Sequence, residues 1–357
     1  MAIRIMLVDD SAIVRGLITQ SLKTDPDIQV IATAGNGAIA IPLAKQHQPD
    51  VIVLDIEMPE MDGITALPKL LAAAPGVKII MASTLTLRNA DISLQALQLG
   101  ASDCVAKPSA RDSSELDIFY RELKEKIHAL TVQKRPKPAL APLIAPLKPP
   151  PKPITLLSPQ ISPTPIKAIA IASSTGGPQA LMTLLTALKG QFQNIPVFIT
   201  QHMPPTFTTI LAQHLSKASE RPSKEGVEGE VVTAGHVYIA PGNFHMIADK
   251  RDQSVVIHIN QDPPENFCRP AADPMLRSLS KIYGAHLLVI VLTGMGADGL
   301  EGAKKVVENG GRVIAQDEAS SVVWGMPGAV AEHGLCQAVL PLTEIAPYLI
   351  RTVRYAP

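Results

Sequence analysis

Aromatic side chains are scarce: they make up 3% of the 357 residues, with a single tryptophan. Stacking platforms for single-stranded nucleic acid are built from such rings, so that class of function is disfavoured. Net charge is absent as well. Lys+Arg and Asp+Glu number 32 each, which argues against a general binder of nucleic acid or of a membrane surface. Cysteine is rare and odd in number. Cys104, Cys268 and Cys336 are widely spaced, as suits reduced thiols in a cytosolic protein rather than a disulfide framework. No apolar stretch reaches the roughly 18–20 residues needed to span a bilayer. The chain opens on a strand-like run, Ile3 to Val8, with no basic segment leading into a long apolar one. No leader peptide is therefore expected, and a cytoplasmic location is.

What the chain has is apolar residues throughout and, in one place, proline. Hydrophobic residues are 46% of it, enough for sizeable cores in two domains of ordinary size. Residues 131–165 hold 11 prolines and five Lys/Arg, with no Asp or Glu. Proline fixes φ and removes a backbone donor, so neither helix nor sheet can run through such a segment. Structureless loops of this length are uncommon inside compact domains. The expectation is a domain over 1–130, an extended semi-rigid tether over 131–165, and a second domain over 166–357.

Before the tether, apolar runs predict strands at 3–8, 28–34, 51–54, 78–82 and 103–106, separated by helical patterns. Five such units imply an α/β fold, a doubly wound parallel sheet of flavodoxin-like order. After the tether the alternation resumes, with strands expected at 168–172, 196–200, 237–240, 287–292 and 312–315. A strand-rich insertion is expected over roughly 229–260. The second domain thus reads as another doubly wound, mostly parallel α/β unit. In such sheets the chemistry gathers beyond the carboxyl ends of the strands.

Asp9, Asp10, Asp55, Ser83 and Lys107 all fall at predicted strand ends of the first domain. Crowded carboxylates repel one another, and a hard cation such as Mg²⁺ relieves this with carboxylate and phosphate oxygens. An aspartate can also attack a phosphoryl group, with a cation and a lysine neutralising the developing charge. Taken singly, Asp10 or Ser11 could simply cap the first helix. Jointly the five fit an acidic pocket. Residues 1 to about 128 resemble a response-regulator receiver domain, most specifically in the run Leu54-Asp55-Ile56-Glu57-Met58-Pro59-Glu60-Met61-Asp62-Gly63. The resemblance implies Asp55 as phosphoacceptor and Asp10, Asp55 and the Glu57 carbonyl on Mg²⁺, with Asp9 in the pocket. It implies Ser83 as switch hydroxyl and Lys107 as phosphate sensor. The family usually carries Phe or Tyr where this chain has Cys104, which departs from any aromatic rotamer switch.

In the second domain, three reactive side chains follow three apolar strands: Ser174, His202 and Asp298. A serine hydroxyl needs a base, and the base needs a carboxylate to fix its tautomer. Glycines beside Ser174 and Met295 would let backbone N–H groups approach a substrate oxygen. Alternatives stay open on the residues alone. Ser174 or Thr175 could cap the next helix, Asp298 could cap its own, and His245 is a rival base. The run Gly294-Met295-Gly296-Ala297-Asp298-Gly299 also satisfies a dinucleotide-binding fingerprint, with Asp317 and Glu318 nearly 20 residues on. Asp298 would then place negative charge where pyrophosphate should sit. Chain order and the missing Gly-x-Ser-x-Gly exclude an α/β-hydrolase.

Residues 166–350 resemble the catalytic domain of the chemotaxis protein-glutamate methylesterase/glutaminase, the CheB type. The matching segments are Ala172–Pro178, Gln201–Pro204, Tyr238–Gly242, Arg269-Pro270, Leu292–Gly299 and Gly325–Pro327. The resemblance implies Ser174 as nucleophile, His202 as base, Asp298 as its carboxylate, and an oxyanion hole with Met295 N–H and Thr175 nearby. It implies a monomer that needs no cofactor for ester hydrolysis and acts on methylated chemoreceptors (methyl-accepting chemotaxis proteins). A chemotaxis histidine kinase would be its phosphodonor. Cys268 and Ala271-Ala272 depart from the family pattern, and are expected at the rim of the substrate groove.

Overall fold

The structure, a computed structural model, describes residues 2–108, 113–131, 156–157 and 164–354. The chain divides into two compact units, Met1–Ala145 and Pro146–Pro357. Most of the expected tether, residues 131–165, lies outside the described residues.

The first unit alternates β1 (Ile3–Val8), α1 (Ala12–Leu22), β2 (Ile28–Ala34), α2 (Gly37–His47), β3 (Val51–Asp55), α3 (Gly63–Ala73), β4 (Lys78–Thr84), α4 (Leu87–Gln98), β5 (Asp103–Lys107) and α5 (Ser113–Thr131). The sheet order is β2-β1-β3-β4-β5, parallel throughout. Near-continuous apolar runs suit strands covered on both faces, and every residue of β3 is buried. The helices start where short polar side chains accept a free N–H. Ser11 accepts from Val14, Asn36 from Ile39, Asp62 from Thr65 and Thr86 from Asn89. β1 lies between β2 and β3, which makes the β1/β3 carboxyl ends a topological switch point. Gly63 closes the segment after β3. Its N–H donates to Ile56 O at 2.8 Å, and a Cβ there would fall 2.0 Å from Asp55 O.

The second unit runs β6 (Ala168–Ser173), α6 (Gly177–Ala187), β7 (Val197–Gln201), α7 (Phe207–Ser219), β8 (Ser223–Glu225), β9 (Val237–Ile239), β10 (His245–Arg251), β11 (Ser254–Asn260), α8 (Ala272–Tyr283), β12 (Leu287–Val291), α9 (Leu300–Glu308), β13 (Arg312–Gln316), α10 (Met326–Glu332), β14 (Ala338–Leu340) and α11 (Leu342–Arg354). Seven strands form one parallel sheet, ordered β14-β13-β12-β6-β7-β9-β8. β10 and β11 form a separate antiparallel hairpin. The strand-rich insertion is therefore narrower than the sequence suggests, because β9 belongs to the main sheet. All five side chains of β12 are buried. Each such aliphatic side chain contributes about 1.5–3 kcal/mol on leaving water. β6 sits between β12 and β7, so the second switch point lies where β6, β7 and β12 end.

Candidate active site and acidic pocket

In the first unit the structure gathers the acidic residues named from sequence. Carboxylate oxygens of Asp9, Asp10 and Asp55 lie within 4.8 Å of one another. Lys107, last residue of β5, bridges two of them: its Nζ is 2.6 Å from Asp9 Oδ2 and 2.7 Å from Asp55 Oδ1. Asp55 also accepts from the Ile56 N–H at 2.8 Å. Burial raises the Asp55 carboxyl above the ordinary range, with Lys107 working against it. The first helix is capped by Ser11, which leaves Asp10 exposed and available to the pocket. This all-oxygen donor set fits a hard divalent cation, and Glu57 follows two residues after Asp55.

Two other residues behave differently. Ser83 Oγ lies 3.0 Å from Ser93 Oγ on α4, and Ser93 donates its own proton to Asn89 O. Ser83 is thus the donor to Ser93, so its hydroxyl is tied to α4 rather than to Asp55. Cys104 is buried in β5 opposite Met81, and burial pushes its thiol upward.

In the second unit, register brings the nucleophile and base segments together. Ser173 pairs with Gln201, and the His202 N–H donates to Ser173 O at 3.1 Å. Gln201 straps the junction: Oε1 accepts from Ser173 Oγ at 2.7 Å, and Nε2 donates to Ser174 O at 2.9 Å. The helix after Ser174 is capped by Gly176 with no side-chain bond, so neither Ser174 nor Thr175 serves as its cap. Gly294, after β12, lies against the nucleophile. A Cβ there would stand 2.9 Å from Ser174 Cβ and 2.4 Å from Met326 Sδ. Met295 follows directly. Among the described residues Thr175 Oγ1 is buried without a partner, an orphaned hydroxyl beside Ser174.

His202 Nε2 stands 2.7 Å from Asp298 Oδ2. The carboxylate of Asp298 is buried and also accepts from the N–H groups of Ala272, Asp273 and Gly299. Burial pushes Asp298 up, but the His202 contact and then the Ala272 and Asp273 N–H groups outweigh it and hold the carboxyl below its usual range. An ionised carboxylate only accepts, so Nε2 carries the proton and Nδ1 is the basic nitrogen. Ala271 offers α8 no side-chain cap, and Asp298 fills that place from another segment.

Three neighbours were not assigned here from sequence. Asn266 Nδ2 donates to Asp273 Oδ2 at 3.0 Å and to Asp298 Oδ1 at 3.2 Å. Asp273 accepts from the Gly302 N–H at 2.6 Å, and burial with the adjacent Asp298 charge pushes it up to about 6. Cys268, expected at the groove rim, instead places Sγ 3.4 Å from His202 Nδ1. The rival His245 is buried away from Asp298. Its Nδ1 accepts from the Ala271 N–H at 3.2 Å and its Nε2 bonds Pro263 O at 3.2 Å, which straps the loop carrying Cys268.

The dinucleotide reading fails on this geometry. Asp298 takes the Gly299 N–H and Asp273 takes the Gly302 N–H, so carboxylates occupy the start of α9 where pyrophosphate would need those donors. Asp317 Oδ1 accepts instead from Ser320 N–H and Oγ in a local turn. No described helix is long and apolar enough to cross a membrane.

Both units resemble known proteins. Residues 169–349 match the family model described as CheB methylesterase, and residues 5–116 match the response regulator receiver domain. A protein-glutamate methylesterase/protein-glutamine glutaminase of Paramagnetospirillum magneticum is 52% identical, covering 98% of this chain and 96% of its own. One of the same description from Azospirillum brasilense is 52% identical over 97% of this chain and 92% of its own. The crystal structure of the Thermotoga maritima CheB methylesterase catalytic domain superposes with a TM-score of 0.51 at 41% identity, covering 52% of this chain and 98% of that domain.

Proposed function

The chain belongs to the CheB methylesterase family, and from that premise we propose that it is a phosphorylation-activated serine esterase of chemotactic adaptation. It hydrolyses glutamate methyl esters on chemoreceptors to glutamate and methanol, and deamidates receptor glutamines. The observation that carries the reading is the His202–Asp298 pair at 2.7 Å, set at the strand ends beside Ser174.

Ser174 Oγ attacks the ester carbonyl while His202 Nδ1 takes its proton. Asp298 fixes the tautomer and stabilises the imidazolium without taking the proton itself. The Met295 N–H and the Thr175 hydroxyl face the developing oxyanion. Methanol leaves with the proton held on His202. The same imidazole then takes a proton from water, which releases glutamate from Ser174. With glutamine as substrate, ammonia leaves in place of methanol.

Input comes through Asp55, phosphorylated in the cytoplasm by a chemotaxis histidine kinase. Asp10, Asp55 and the Glu57 carbonyl would hold Mg²⁺, which would supply charge neutralisation at the transferring oxygens. Lys107 takes up a phosphoryl oxygen, with Ser83 as the switch hydroxyl once it leaves Ser93.

The test is methanol release from methylated receptor membranes. Ser174→Ala is expected to abolish it while leaving Asp55 phosphorylation intact. Turnover within tenfold of the parent would remove Ser174 from the mechanism.

A further inference from the structure

The proposed reaction requires one nitrogen of His202 to be open to the Ser174 proton. Nε2 is engaged by Asp298 Oδ2 at 2.7 Å. Nδ1 faces Cys268 Sγ at 3.4 Å. Among the described residues, no hydrogen bond joins Ser174 Oγ to the ring.

The thiol is held there by a clamped turn. Glu265 and Cys268 exchange backbone hydrogen bonds of 2.9 and 3.2 Å. Asn266 and Phe267 between them take positive φ, 51° and 63°, a conformation that such residues adopt where their surroundings enforce it. Those surroundings are visible. Arg277 of α8 grips Glu265 at 2.8 Å, Asn266 reaches Asp273 and Asp298, and His245 holds Pro263 and Ala271. Cys104 and Cys336 are buried, whereas Cys268 is partly exposed at the site.

We propose that Cys268 is a positioning residue for the base: it holds His202 Nδ1 in the resting site and competes with the Ser174 hydroxyl for it. This rests on the esterase reading. The exchange needs no covalent step. A ring whose Nε2–H faces Asp298 has only Nδ1 left: charged, it donates Nδ1–H to the Cys268 sulfur, and neutral, it accepts from an S–H or from an O–H, one at a time.

Cys268 also sets when the ring is basic. The titratable groups facing it are Cys268 from the β11–α8 loop and Asp298 from the β12–α9 loop, with Asp273 of α8 behind Asp298. Burial opposes charge on His202, but Cys268 and then Asp298 outweigh it, and the imidazole is pushed up to about 10. A protonated ring cannot take the serine proton, so activity falls as pH drops through the ring's own midpoint. Removing the thiol takes away the larger of the raising influences.

The experiment is a nuclear magnetic resonance titration of the His202 ring in the full chain, wild type against Cys268→Ala and Cys268→Ser, alongside kcat/KM for methanol release against pH. In Cys268→Ala the His202 midpoint is expected to fall by at least one pH unit. The acid limb of kcat/KM moves down with it, so the rate on that limb rises about tenfold per unit. Cys268→Ser keeps a hydroxyl on Nδ1 and falls between the two. An unmoved midpoint in Cys268→Ala, or a midpoint that moves while the acid limb stays, overturns the proposal. A midpoint that moves while no protein, wild type included, releases methanol upholds the Cys268–His202 pairing and sinks the esterase reading instead.

Discussion

Asp298 shows how one side chain can serve structure and chemistry together. Its carboxylate caps α8 through the Ala272 and Asp273 N–H groups and also holds His202 Nε2. These roles separate by substitution. Asn keeps an oxygen for the helix but cannot enforce the Nε2–H tautomer, so Asp298→Asn should lower kcat by about 10³–10⁴. Asp298→Ala should also lose the cap, costing about 1 kcal/mol more in stability. Parallel measurement of methanol release and thermal unfolding separates the two, and an Asn variant within tenfold of wild type would remove Asp298 from catalysis. Ser174 and His202 are legible because each directly follows an apolar strand, and Asp298 because it closes the glycine-rich loop after a third. The sequence does not show that Cys268 reaches His202 or that Asn266 reaches Asp298, since those contacts depend on how a 66-residue and a 32-residue separation close in space. The departure at Cys268 is readable, but its place on the base is not.

At the scale of elements, legibility follows length and local chemistry. In the first unit β1 and β2 end where their apolar runs end, β3, β4 and β5 run one or two residues further, and the first four helices begin at Ser, Asn, Asp and Thr caps. β8 escapes sequence reading because its three residues, Ser-Lys-Glu, carry no apolar signal. The end of α5 adds a further constraint. Lys126 Nζ meets Asp103 Oδ2 of β5 at 2.7 Å, with both side chains at least nine-tenths buried. Burial works against the ammonium, yet Asp103 and then Glu122 hold it well above the lysine range. A cation whose folded pKa is raised stabilises fully below its unfolded value, about 10.4, and loses that contribution only as pH climbs towards the folded value. Lys126→Met should therefore destabilise the first unit by about 3–5 kcal/mol at neutral pH, because Asp103 stays buried and unpaired. Urea unfolding of the full chain, followed by a probe in that unit, measures it. A loss below about 1 kcal/mol would mean that water reaches Asp103.

For the whole molecule, the same physics appears twice. Each unit is a parallel sheet with its reactive side chains beyond the carboxyl ends, at the place where strand order reverses. One site is acidic, with Lys107 across Asp9 and Asp55; the other pairs an imidazole with a buried carboxylate. Neither set can perform the other's chemistry, so in the proposed function phosphate at Asp55 acts on Ser174 through a change of state rather than a shared intermediate. That makes the coupling separable from both reactions. With a small phosphodonor such as acetyl phosphate, wild-type methanol release should rise over its own unstimulated rate. In Asp55→Asn the ratio of stimulated to unstimulated rate should fall to one, since the amide occupies the same buried place but cannot take a phosphoryl group. Ser174→Ala, labelled with the same donor, should still accept phosphate at Asp55. Stimulation persisting in Asp55→Asn would move the input to another residue, and loss of labelling in Ser174→Ala would show that the two sites are not separate.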